Sequence, residues 1–200
     1  MSNEQNHGGS FSELIEIPKL FYSDLTGAPI ERCISCECNL LEPCTPYMIE
    51  KALKPYNGYQ AYSTIFEYAI CFTCMGAMKN IISAKSRKNI TAYFSQNMDP
   101  SFRKDILQQN PLKVEPWVER CMIKGLPINE LNECQVYAQC RGNQMVVGDF
   151  PYMVSGVALD EVVDLLSPET LDDLERFKNE FVDGPSEFQD LLKSGPKVFI

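Results

Sequence analysis

Cys33-Ile34-Ser35-Cys36 and Cys71-Phe72-Thr73-Cys74 stand 34 residues apart in this chain. Each is a C-x-x-C turn, a spacing that lets one tight turn aim two sulfurs at a common point while its amide groups face them. Tetrahedral zinc takes four ligands at about 2.0 to 2.3 Å, so two such turns close its shell. The chain carries nine cysteines, a high and odd number that in an exported protein would suggest a disulfide framework with one thiol left over. Met1 to Ser10, MSNEQNHGGS, has neither the cationic start nor the apolar run of a secretory signal. A reducing, cytoplasmic setting is therefore expected, where close cysteine pairs point to metal. The expected ligands are Cys33, Cys36, Cys71 and Cys74 around one structural Zn2+.

The residues between the two turns read as a long-looped hairpin. Tyr47–Leu53 alternates, with Tyr47, Ile49, Lys51 and Leu53 on one face, and Thr64–Ile70 places Phe66, Tyr68 and Ile70 together. Pro55-Tyr-Asn-Gly58 between them is turn chemistry. A helical pattern starts at the second C-x-x-C, with Met75, Met78 and Ile82 in one stripe and Ile90, Tyr93 and Phe94 resuming it, and a bend or break is expected over Lys85–Asn89. The helix N-terminus should favour the Cys74 thiolate. This order of knuckle, hairpin and a helix whose first turn carries the second pair resembles the treble-clef class of zinc fingers over about residues 21–96. The resemblance implies a treble-clef fold with the same four cysteines as ligands. It implies no function, because treble clefs serve nucleic-acid binding, protein binding and nuclease chemistry. An iron–sulfur cluster drawing on Cys38 or Cys44, or a set of buried free thiols, are the competing readings.

Residues 1–20 read as a largely disordered tail, 21–98 as the zinc module, and 99–200 as an acidic α+β half, with the boundary at Asp99-Pro100. Ordered structure is expected from near Phe11 or Leu20, and Phe21–Ile30 as a short strand and a Gly/Pro turn. In the second half, helices are expected around 101–109, 116–123, 158–166, 168–181 and 186–192. A hairpin of Gln135–Gln139 with Gln144–Val147 should turn at Arg141-Gly-Asn143, and Lys197–Ile200 should close as a strand. Ser167 before Pro168 fits a helix cap. Thr26-Gly-Ala-Pro-Ile30 and Lys124-Gly-Leu-Pro-Ile128 share a Gly-x-Pro-Ile core, read as similar turn chemistry and not as a repeat. The fold class is α+β.

Charge and the missing histidines narrow the function. The net charge is −9, and residues 99–200 hold eighteen acids against ten bases, most of the excess lying between Asp160 and Asp190. Such a surface repels phosphate backbones. The only histidine is His7. Neither a Ser-His-Asp nor a Cys-His nucleophile can be assembled, and histidine-dependent nucleases and zinc hydrolases are excluded with them. A closed four-thiolate shell leaves no position for an activated water. No apolar run is long enough for a bilayer. Cys134 and Cys140, at even spacing on one strand face, read as core residues, with a redox pair or second metal site as the alternative, and Cys121 is left without a role.

The expected function is that of a non-catalytic, zinc-stabilised protein-interaction or regulatory protein, its acidic half facing a protein partner. Nucleic-acid binding through the zinc module is the alternative, resting on Lys79, Lys85, Arg87 and Lys88 and on Tyr56, Tyr59 and Tyr62. Against it, four thiolates and Zn2+ bring that module to a net −1. The second alternative is an enzyme using Cys140, Glu133 or Asp149 in the C-terminal half.

Overall fold

Alternation in the sequence becomes a two-faced sheet. The structure, a computed structural model, describes residues 12–56, 59, 61–79 and 81–182. β2 (Pro46–Pro55) and β3 (Tyr62–Cys71) form the expected antiparallel hairpin, after β1 (Glu13–Glu16). Period-2 geometry sends Tyr47, Ile49, Lys51 and Leu53 to one face, all fully buried, and Met48, Glu50 and Ala52 to the other. In the second half, β4 (Cys134–Arg141) turns through Gly142 and Asn143 into β5 (Gln144–Val147), and β6 (Tyr152–Ser155) returns beside the other end of β4. Gly142 takes φ 57, the left-handed conformation that such a two-residue turn requires.

The halves share this sheet. β2 pairs with β4 from Pro46 opposite Arg141 to Leu53 opposite Cys134. The strand order is β1-β5-β4-β2-β3, with β6 also beside β4. The boundary read at Asp99-Pro100 falls in the link between α2 (Ala84–Asn97) and α3 (Pro100–Gln109), while the hydrogen bonds of the central strands cross from one side of it to the other. The segment read as a tail contributes too, since β1 pairs with β5. The other helices are α1 (Phe72–Met78), α4 (Glu115–Val118), α5 (Gly156–Val163) and α6 (Pro168–Phe177). Among the described residues, no helix is long and apolar enough to cross a membrane.

Several local readings change. Phe21–Ile30 is a short 3-10 helix, Lys19–Phe21, followed by a tight turn with one bridge between Tyr22 and Pro29, not a strand. The 116–123 helix shrinks to α4 because Cys121–Leu126 folds into another tight turn. The helix after Cys74 breaks before Ala84 instead of over Lys85–Asn89. Ser83 caps α2 and Ser167 caps α6, and the two caps meet. Ser83 N–H donates to Thr170 Oγ1 at 3.0 Å, and Ser167 N–H donates to Ser86 Oγ at 2.9 Å. Two positive helix ends thus abut through a shared set of hydroxyl oxygens. The helix and strand expected at 186–192 and 197–200 lie outside the described residues.

One buried cation ties the N-terminal segment to the sheet. Lys51 Nζ donates to Tyr22 O at 2.8 Å and to Asp24 Oδ1 at 2.6 Å, and stands 3.0 Å from Glu67 Oε2. The Lys51 hydrogen bond holds the Asp24 carboxyl below its ordinary value. Because the core runs through β2 and β4, it should melt as one unit. Ile49→Ala should lower stability by about 2–5 kcal/mol. Urea unfolding followed by Trp117 fluorescence, in the second half, should coincide with that followed by far-ultraviolet circular dichroism. Two separated transitions would contradict the shared core.

Candidate metal centre

The first C-x-x-C lies on a turn held by two backbone hydrogen bonds. Cys33 N–H donates to Cys38 O at 3.0 Å and Glu37 N–H to Cys33 O at 2.9 Å, with Glu37 at φ 60. The second pair lies where β3 becomes α1, with Cys71 as the N-cap. Ile34 N–H donates to Ala69 O at 2.9 Å and so locks the turn to the end of β3. The Sγ atoms of Cys33, Cys36, Cys71 and Cys74 consequently all lie within 4.8 Å of one another. Cys36 and Cys71 are 3.8 Å apart through their sulfurs, far too long for a disulfide. A tetrahedron of sulfurs ~2.3 Å from its centre has edges of ~3.8 Å, so the group fits a metal ion.

Backbone amides point at the sulfurs, as the turn spacing implies. Cys71 N–H faces Cys33 Sγ and Cys74 N–H faces Cys71 Sγ, both at 3.4 Å. Cys33 and Cys71 are buried, Cys74 is half-buried and Cys36 is exposed. Without a cation, the Cys38 backbone amide lowers the Cys36 thiol to about 6, whereas burial raises Cys74 to about 12. A divalent ion bound there would supply the charge that lets all four sulfurs ionise together. Cys38, the competing ligand of the iron–sulfur reading, lies outside the four-sulfur group, and burial pushes its thiol up to about 12. Cys44 is exposed on the turn before β2, outside the four-sulfur group.

The same backbone arrangement recurs in the second half, which sequence reading missed. Cys121 N–H donates to Leu126 O and Gly125 N–H to Cys121 O, both at 2.8 Å, and Gly125 takes φ 66. Met122 N–H donates to Met153 O at 2.9 Å, as Ile34 does to Ala69. Ser155 N–H faces Cys121 Sγ at 3.2 Å and Ala158 N–H faces Ser155 Oγ at 3.4 Å. Cys121, Lys124, Ser155 and Ala158 therefore stand where Cys33, Cys36, Cys71 and Cys74 stand. The legible signal was the tripeptide Glu31-Arg32-Cys33, repeated as Glu119-Arg120-Cys121. The shared Gly-x-Pro-Ile core is similar turn chemistry, as read: Ser23–Ala28 is a turn of the same form as Cys121–Leu126, with Gly27 at φ 67. In the second unit, Lys124 Nζ pairs with Glu161 of α5 at 2.6 Å, and Tyr93 OH donates to the same carboxylate at 2.5 Å. An ion pair thus links turn to helix where the first unit has sulfurs.

Cys134 and Cys140 lie at the two ends of β4, about 20 Å apart along a strand, and both are buried. Burial raises each thiol to about 12. That is the reverse of what a thiol nucleophile needs.

Cys74→Ser should abolish stoichiometric metal binding, measured by elemental analysis, while Cys38→Ser and Cys44→Ser keep one ion per chain. The combined substitution Lys124→Cys, Ser155→Cys and Ala158→Cys, added to native Cys121, should let the chain take up a second ion. A folded variant that still binds one would show that the two arrangements differ where it matters. Comparison with protein-family models, with curated proteins and with solved structures finds no match for this chain, so its site is read from geometry alone.

Proposed function

We propose that this chain is a non-catalytic binding protein, of the protein-interaction or regulatory kind, whose first unit is a treble clef held by structural Zn2+. The observation that carries this reading is the four-sulfur group itself. One tight turn and one strand-to-helix junction bring the four sulfurs together, and a tetrahedral ion held by four thiolates has no position left for a water or a substrate. The succession of turn, β2–β3 hairpin and α1 supports the treble-clef layout. Sulfur donors in a tetrahedral arrangement suit zinc or an iron–sulfur centre, and four converging cysteines complete a single-ion shell. Free thiols in this number suit a reducing, cytoplasmic compartment.

The acidic helices of the second half support a partner surface that is not nucleic acid. α6 carries Glu169, Asp172, Asp173 and Glu175 along its exposed side. A second reading rests on the hairpin end, where Tyr56, Tyr59 and Tyr62 are exposed and could stack on bases. Binding to single-stranded DNA or RNA that weakens steeply with salt would favour it.

Native mass spectrometry of the intact protein should report one zinc per chain. Substitution by Co2+ should give the visible absorption of a four-sulfur tetrahedral site. Acidification should release the ion, because the ligands bind it only as thiolates, and should unfold the first unit as it leaves. A mass matching an iron–sulfur cluster, or a cobalt spectrum of a five- or six-coordinate site, would overturn the structural assignment.

A further inference from the structure

Across the sheet, on the face opposite Lys51, one row of cross-strand neighbours reads Tyr68, Glu50, Tyr137, Tyr152. Glu50 faces Tyr68 between β2 and β3, faces Tyr137 between β2 and β4, and Tyr137 faces Tyr152 between β4 and β6. These four residues line a cavity of about 320 Å3 walled on its far side by Met75 and Met78. That volume is the lower end of the range for small-molecule sites.

The carboxylate of Glu50 is only half satisfied. Tyr68 OH donates to Oε2 at 2.5 Å, whereas Oε1 is buried with no hydrogen-bond partner among the described residues. The residue is 4% exposed. An orphaned acceptor of this kind costs about 1–3 kcal/mol, which a ligand's donor placed in the cavity would recover. Its surroundings are tyrosine rings and thioethers, which offer π faces and soft apolar contact and no buried cation. Lys79 also lines the cavity, but it is exposed and its charge is screened by water.

We propose that this cavity binds a small molecule bearing a protonated amine on an apolar body, with the ammonium on Glu50 Oε1 and the body between the tyrosine rings and the α1 methionines. An ammonium donates to the vacant oxygen, meets the ring faces of the flanking tyrosines, and neutralises a charge that burial otherwise disfavours. An anion would find only the neutral acid and no buried cation in the lining, and a neutral alcohol would forgo the ion pair. The inference does not depend on which metal occupies the cysteine site.

The protonation of Glu50 supplies an independent signature. Burial raises its carboxyl to about 8, opposed only by the Tyr68 hydrogen bond. The groups facing it are the hydroxyls of Tyr68, Tyr137 and Tyr152, whose own ionisation burial pushes up, with the Gln139 amide and Lys79 further along the lining. At neutral pH the empty site therefore holds a proton on Glu50, and a bound ammonium must displace it.

The test is calorimetric titration of the full chain, at about pH 7, with phenethylammonium, 2-phenylethanol and 3-phenylpropanoate. Phenethylammonium should bind at least ~tenfold more tightly than either of the other two, the margin of a charge-assisted hydrogen bond. Its heat should vary with the ionisation enthalpy of the buffer, reporting proton release. Glu50→Gln, which has the shape of the protonated acid and should keep the fold, should erase the preference and the proton release together. Equal or tighter binding of the alcohol or the carboxylate overturns the proposal. So does an absence of saturable binding by all three, or ammonium binding to wild type with no proton released.

Discussion

Everything in this molecule is hung on the antiparallel ladder between β2 and β4. Tyr47 faces Cys140 and Leu53 faces Cys134. Within their own units, Tyr47 faces Cys71 and Cys134 faces Ser155. Tyr47 and Cys134 thus occupy corresponding places, as do Leu53 and Cys140, which is the relation a two-fold axis imposes. That axis passes between Glu50 and Tyr137. Each unit places its turn and its helix by reference to this ladder, so a slip of one residue would turn Lys51 and Glu50 to the wrong faces and scatter both turn–helix junctions.

The two units solve one mechanical problem with different chemistry. In each, a tight turn must be fastened to the start of a helix at the end of a strand. The first has four sulfurs that converge on a point, and the binding free energy of a metal there is folding free energy. The second keeps Cys121 as an acceptor for Ser155 N–H and adds the Lys124–Glu161 pair. Both partners of that pair are partly exposed, so water screens it and its contribution is small. The hydrophobic contacts of Met122, Met153, Ala158 and Leu159, all buried, carry more of the load in the second unit.

Near-symmetry also explains the polar row on the open face. Glu50 and Tyr137 are equivalent by the axis, as are Tyr68 and Tyr152, so three of the four positions keep tyrosine and one has an acid. A carboxylic acid at the centre of a sheet works against stability at any pH where its unfolded counterpart ionises. Local rules of burial are broken where something other than folding is served. The opposite face has the complementary problem in Lys51 and resolves it fully, with a backbone carbonyl and two carboxylates.

Spacing along the chain determined the four-sulfur cluster. Two C-x-x-C turns with a hairpin between them are local features, and local geometry brings four sulfurs together wherever that hairpin closes. Alternation likewise gave β2, β3 and the faces of Tyr47, Ile49, Lys51 and Leu53, and Ser167-Pro168 announced the start of α6. The partnership of β2 with β4 had no local signal, because strand pairing across some ninety positions depends on complementary faces and not on spacing. The same reason hid the second turn–helix unit. Once three of the four cysteines are replaced by Lys124, Ser155 and Ala158, the sequence no longer spells the cluster, though the backbone hydrogen bonds still draw the same arrangement. Glu50 and its three tyrosines lie on four different strands, and only the folded sheet sets them side by side.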